Sequence, residues 1–67
     1  MLIAEWSGTR VIIRDDHRIK IRQIDVRHPV VGVQISGDST TEATVAIAQS
    51  HGRTDIYKSS GQLIRRG

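Results

Sequence analysis

The sequence predicts an all-β fold, a small antiparallel meander, sandwich or barrel of about six or seven short strands. Three observations carry that expectation. Apolar residues recur every second position, and the runs they form are rich in Val, Ile and Thr. Short clusters of Ser, Gly, Asp, His and the single proline separate those runs. No window keeps a helical period of 3.6 for long.

Strands are expected near residues 1–6, 10–14, 18–26, 30–36, 43–49, 53–58 and 62–66. The punctuation between them is Ser7-Gly8, Asp15-Asp16-His17, Arg27-His28-Pro29, Ser36-Gly37-Asp38-Ser39, His51-Gly52 and Ser59-Ser60-Gly61. The one helical rival is residues 40–49, where Thr40, Thr41 and Glu42 could cap a short Ala-rich turn. Thr44, Val45 and Ile47 favour a strand there instead.

At 67 residues the chain is one domain. A chain this short buries only about 60% of its unfolded surface. It contains no cysteine, so neither disulfides nor thiolate metal sites can reinforce the core. Association is a common remedy, and an intertwined or edge-paired homodimer is expected.

Ten Lys and Arg against seven Asp and Glu leave a net charge of +3, and eight of the ten cations are arginine. Arginine is the better fork for phosphate and base edges. No apolar run approaches the ~18 residues of a membrane span, so no membrane partner is expected. Met1-Leu2-Ile3-Ala4-Glu5 lacks the basic start and long apolar stretch of a secretory signal, which points to the cytoplasm.

A hairpin turning at Asp15-Asp16-His17 pairs residues whose numbers sum to 32. One face then carries Val11 opposite Ile21 and Ile13 opposite Ile19. The other carries Arg10 opposite Arg22, Ile12 opposite Lys20 and Arg14 opposite Arg18. Like charges directly across a sheet are unfavourable by some tenths of a kcal/mol. This comb of Arg10, Arg14, Arg18, Lys20 and Arg22 therefore wants anions. They could be Asp15, Asp16, Glu5 or Glu42 on a solvated face, or the phosphates of a partner. Beyond Arg22 the apolar parity changes, from Ile19 and Ile21 to Ile24 and Val26, which predicts a bulge or a strand crossing between sheets. Val31, Val33 and Ile35 then restore an odd apolar face, with Gly32 leaving a gap behind it.

Catalytic chemistry is not legible. His17, His28 and His51 each fall in a turn at no ligand spacing, so neither a metal nor a cofactor is expected. Asp15-Asp16 reads as a turn former, and no Gly-rich loop precedes a helix. Trp6 and Tyr57 are the only aromatics besides histidine, too few for binders that stack several bases on aromatic side chains. Trp6 reads as a cap on the small core. A non-catalytic binding protein is expected.

The motif order resembles the carbon storage regulator (CsrA/RsmA) family. Met1-Leu2-Ile3, Gly8 before a strand, Ile13-Arg14-Asp15-Asp16, alternating Ile19 and Ile21, and Val31-Gly32-Val33 carry the resemblance, ungapped from Gly8 to Val33. His51-Gly52-Arg53-Thr54-Asp55-Ile56-Tyr57 is similar to the family's His-Arg-Glu-Glu-Ile-Tyr segment with one residue inserted. The resemblance covers about two-thirds of the chain. It implies a β-sheet dimer that binds GGA-containing single-stranded RNA loops and regulates translation. The family's binding surface falls on Leu2, Ile3, Ala4 and Arg53, with Ser50 and His51 beside them. The chain departs from the pattern at Ala4-Glu5-Trp6-Ser7, where the family is basic, and at Tyr57–Leu63, where a hairpin replaces its C-terminal helix.

Two function classes follow. An RNA-binding regulator would place Arg53 and the comb against phosphates or base edges. A protein-interaction or structural assembly module would pair its cations internally and join partners through strand edges. Duplex DNA is a further possible partner, through a two-stranded ribbon in the major groove.

Overall fold

The computed structural model describes residues 1–66. All seven expected strands form: β1 Ile3–Ser7, β2 Arg10–Arg14, β3 Lys20–Asp25, β4 Val30–Ser36, β5 Thr44–Gln49, β6 Thr54–Lys58 and β7 Leu63–Arg65. They make two antiparallel meanders, β1-β2-β3 and β4-β5-β6-β7. No residue among those described is helical. The 40–49 ambiguity resolves as a turn followed by β5, with the Ser39 hydroxyl accepting from the backbone N–H of Thr41 and Glu42.

Each meander turns one apolar face inward. The three-stranded sheet contributes Val11, Ile13 and Ile24 with the preceding Leu2, and the four-stranded sheet contributes Val30, Val45 and Ile47 with the preceding Ala43. Val11, Ile13, Val45 and Ile47 are fully buried. Tyr57, Val33 and Ile35 pack around them. One polar pin sits at the edge of this core. Buried Ser59 accepts from the Ala43 N–H at 3.1 Å through its hydroxyl and donates to the Ser39 carbonyl at 2.9 Å.

The β2–β3 register differs from the expected one. Residues pair as Arg14 with Lys20, then Ile13 with Arg22, Ile12 with Gln23, Val11 with Ile24 and Arg10 with Asp25. Two physical causes act in sequence. The Asp15 carboxylate accepts from the N–H of both His17 and Ile19. Asp15 N–H donates to the Ile19 carbonyl, and Arg18 takes a left-handed φ of 63°, so the turn runs longer than Asp15-Asp16-His17. A bulge at Ile21 then shifts the pairing by one and exchanges the faces of β3. Ile24 thereby meets Val11 in the core, while Ile19 is left 60% exposed. The parity change was visible in the sequence, but it falls at Ile21 and not after Arg22.

A second bulge corrects β4. The register shifts between Val30 and Gly32, so Val30 is buried and Val31 is 62% exposed. The odd apolar face therefore begins at Val33.

Candidate nucleic-acid interface

The register determines where the comb residues go. Arg10, Ile12 and Arg14 share the outer face of the three-stranded sheet with Glu5 and Ser7 from β1 and with Gln23 and Asp25 from β3. Arg10 Nε donates to Asp25 Oδ1 at 3.4 Å. Arg14 donates to the Glu5 carboxylate and, through Nη1, to the Arg18 carbonyl at 3.1 Å. Lys20 Nζ donates to Gln23 Oε1 at 2.8 Å. Arg22 lies on the opposite face, its stem 3.1 Å from where a Cβ on Gly61 would stand. The five cations thus do not form one surface, and two of them carry internal counter-charges. Glu5, which stands where the resembled family is basic, is the partner of Arg14.

The residues carried over from the resemblance also separate. Leu2 is buried in the core and Ala4 faces it, paired with Ile13. Ile3 is half-buried near the Asp15–Ile19 turn, in a shallow groove with Glu5, Arg14 and Arg18. Arg53 sits beyond the other end of the strands. At about 3.3 Å per residue, the length of β1 alone puts about 13 Å between those ends. A single chain does not bring Leu2–Ala4 and Arg53 together.

Arg53 instead belongs to a cleft that sequence reasoning did not assemble. The β3–β4 connection passes the β1–β2 turn, with Val26 N–H donating to the Thr9 carbonyl and Val30 N–H to the Gly8 carbonyl. Ser50 N–H donates to the Pro29 carbonyl at 2.9 Å, tying the β5–β6 turn to the same connection. That turn closes through Gly52, whose φ of +90° suits a residue without a side chain. These bonds bring His28 and His51 into contact, with ring centroids 3.8 Å apart and planes tilted by 32°. Around them Arg27, Arg53, Arg66, Asp25, Asp55, Gln49 and Tyr57 line a cleft of about 180 Å³.

Three arginines and two imidazoles line this cleft with two carboxylates, and Asp25 already serves Arg10. Among the described residues, Arg27 and Arg66 make no ion pair. Partial loss of hydration holds the His51 pKa below the ordinary imidazole value, and the nearby charges of His28 and Arg53 add to the effect. Asp55 is buried where β6 meets the core. Its Oδ2 accepts from Gln49 Nε2 at 2.8 Å, while Oδ1 is buried without a hydrogen bond, 3.9 Å from Arg53 Nε.

The signal that could have exposed the cleft is thin. His28 and His51 both fall in turns, His28 between Arg27 and the only proline and His51 two residues before Arg53. Their proximity depends on a backbone bond between turns more than twenty residues apart. Among the described residues no group of three or more His, Asp or Glu converges as a metal site, and no helix is long and apolar enough to cross a membrane. Comparison with protein-family models, curated proteins and solved structures finds no match to this chain.

Proposed function

We propose that this protein is a non-catalytic, CsrA-like RNA-binding regulator that holds single-stranded RNA at the cleft around Arg53. It would act in the cytoplasm as a homodimer and repress or activate translation by occupying messenger loops. The observation that carries this reading is the convergence of Arg27, Arg53 and Arg66, from three separate segments, on one cleft beside a pair of imidazoles. Arginine forks suit phosphate, and histidine rings offer faces on which unstacked bases can lie. The paired state of Arg10 and Arg14 moves the expected contact away from the comb and toward this end.

Binding is measured with a labelled RNA carrying a looped GGA, a scrambled RNA and a DNA duplex, each at two salt concentrations. Loop-preferring binding that weakens with salt and with Arg53→Ala supports the proposal. Absence of binding to every nucleic acid at low salt overturns it. The protein-interaction module would then take its place, supported by the outermost strands β1, β3, β4 and β7 and by Val31 and Ile64, which are 62% and 50% exposed. The duplex ribbon has less support, since Arg10 and Arg14 on the β2–β3 hairpin already hold anions.

A further inference from the structure

The two sides of the sandwich are not alike. On one side β1 packs against β4. On the other, β3 and β7 run beside each other in the same direction. The Arg22 stem passes Gly61 shortly before β7, and Asp25 and Arg27 share the cleft with Arg66 at its end. β3 and β7 are edge strands, each hydrogen-bonded to a single neighbour, β2 and β6 respectively. An edge strand presents a row of N–H and C=O groups at the spacing of another peptide backbone.

The charge on this side is distinct too. Among the described residues, every cation without a carboxylate partner except Arg18 lies on β3, on β7 or shortly after them: Lys20, Arg22, Arg27, Arg65 and Arg66. Arg18 lies instead in the groove with Ile3, Glu5 and Arg14. Lys20 pairs with Arg14 and so stands on the outer face of its sheet. Arg22 pairs with Ile13 on the inner face, and its stem runs out past Gly61 to solvent. Cations thus flank β3 on both faces. The one acid on β3, Asp25, is held by Arg10, and β7 carries none. Exposed Ile19, Leu63 and Ile64 add apolar surface along the same side.

We propose that the β3–β7 side is a docking edge for an extended, acidic segment of a partner protein, which adds to β3 as a further strand. The backbone of that segment completes the open ladder of β3. Its carboxylates meet Lys20 on one face and Arg22 on the other, with Arg65 adding to the field. A second copy of this chain fits poorly there, because like charges opposite each other across a sheet are unfavourable. An RNA strand would neutralise the cations, but it has no backbone of matching donors and acceptors to offer the edge. The inference goes beyond RNA binding at the Arg53 cleft and does not depend on it.

The test titrates the wild-type protein with short synthetic peptides. One alternates valine and glutamate, a second has lysine in place of glutamate, and a third is the glutamate peptide with every backbone amide N-methylated. Calorimetry gives the affinities, and NMR hydrogen exchange follows the β3 amides that face away from β2. The glutamate peptide is expected to bind and to slow exchange of those amides, leaving β1 and β4 unchanged. N-methylation should weaken binding about tenfold or more, and the lysine peptide should not bind. Lys20→Glu combined with Arg65→Glu should weaken the glutamate peptide about tenfold and let the lysine peptide bind. Circular dichroism shows whether that variant folds, and if it does not, the peptide comparison on the unaltered protein decides. Failure of the glutamate peptide to bind overturns the docking edge, as does equal binding of its N-methylated form; the cations would then be guards against unwanted strand pairing. Protection of the β3 amides by a short RNA and not by the peptide would overturn it in favour of nucleic acid. RNA bound at Arg53 with no peptide at β3 would keep the proposed function and remove only the docking edge, and the converse result would do the reverse.

Discussion

Arg53→Ala tests the proposed RNA interface, because binding at the cleft and binding at the comb would give different salt responses. Each phosphate neutralised on a single strand contributes about −0.7 to the slope of log affinity against log salt. With Arg27, Arg53 and Arg66 each on one phosphate, the slope is about −2.1. Raising salt fourfold, from about 50 to about 200 mM, should then weaken wild-type binding about 18-fold. Removing Arg53 leaves two contacts, a slope of about −1.4 and a loss of about sevenfold over the same range. Arg10→Ala should leave the slope unchanged, because Arg10 is held by Asp25. Fluorescence anisotropy with a short labelled RNA across five salt concentrations gives these slopes directly. A slope reduced by Arg10→Ala and unmoved by Arg53→Ala would refute the placement of the interface at the cleft.

Three further outcomes follow from the geometry. Ser59→Ala leaves the buried Ala43 N–H and Ser39 carbonyl without their hydroxyl partner, and should cost about 1–3 kcal/mol in urea unfolding; a change within error would show that water replaces the hydroxyl. Arg18→Gly relieves a left-handed backbone conformation and should raise stability by about 1 kcal/mol in the same assay, an effect that vanishes if the turn relaxes to negative φ. His51 has a depressed pKa in the folded protein, so its neutral form contributes stability above the ordinary imidazole value that is lost as pH falls through the folded value. Bound phosphate has the opposite preference and favours the imidazolium, so RNA affinity should rise between about pH 7.5 and about pH 5.5. His51→Gln should flatten that rise, and an unchanged profile in the variant would place the titrating group elsewhere.

The strands were legible because each is a local matter. Ile13, Val45 and Ile47 sit in runs whose alternation marks them as inward-facing whatever lies across the sheet. The register of β3 was not legible, because it depends on how many backbone donors one side chain, Asp15, can satisfy within its turn. Ile24 and Ile21 signalled a change of face, yet only pairing shows that the extra residue is Ile21. The cleft was harder still. Arg53 stood out through the resemblance, but Arg27, His28 and Arg66 join it through a bond from Ser50 to Pro29 and the course of β7, neither of which leaves a periodic trace.

The same pairings explain where the surplus charge acts. Exposed ion pairs such as Arg10–Asp25, Arg14–Glu5 and Lys58–Glu42 contribute little to stability, within about 0–1 kcal/mol each. Their larger effect is on the field, since a matched pair is nearly invisible to a phosphate a Debye length of about 8 Å away. Pairing therefore quietens Arg10 and Arg14 on the outer face of the three-stranded sheet, where Lys20 has only Gln23 as a partner, and Lys58 on the other sheet. Among the described residues the cations without a carboxylate partner are Arg18, Lys20, Arg22, Arg27, Arg65 and Arg66. Two of these, Arg27 and Arg66, share the cleft with Arg53, which has one carboxylate at 3.9 Å. Under the proposed reading, the phosphates of a single strand are held where Arg27, Arg53 and Arg66 converge, while Arg18, Lys20, Arg22 and Arg65 place the remaining field elsewhere on the surface.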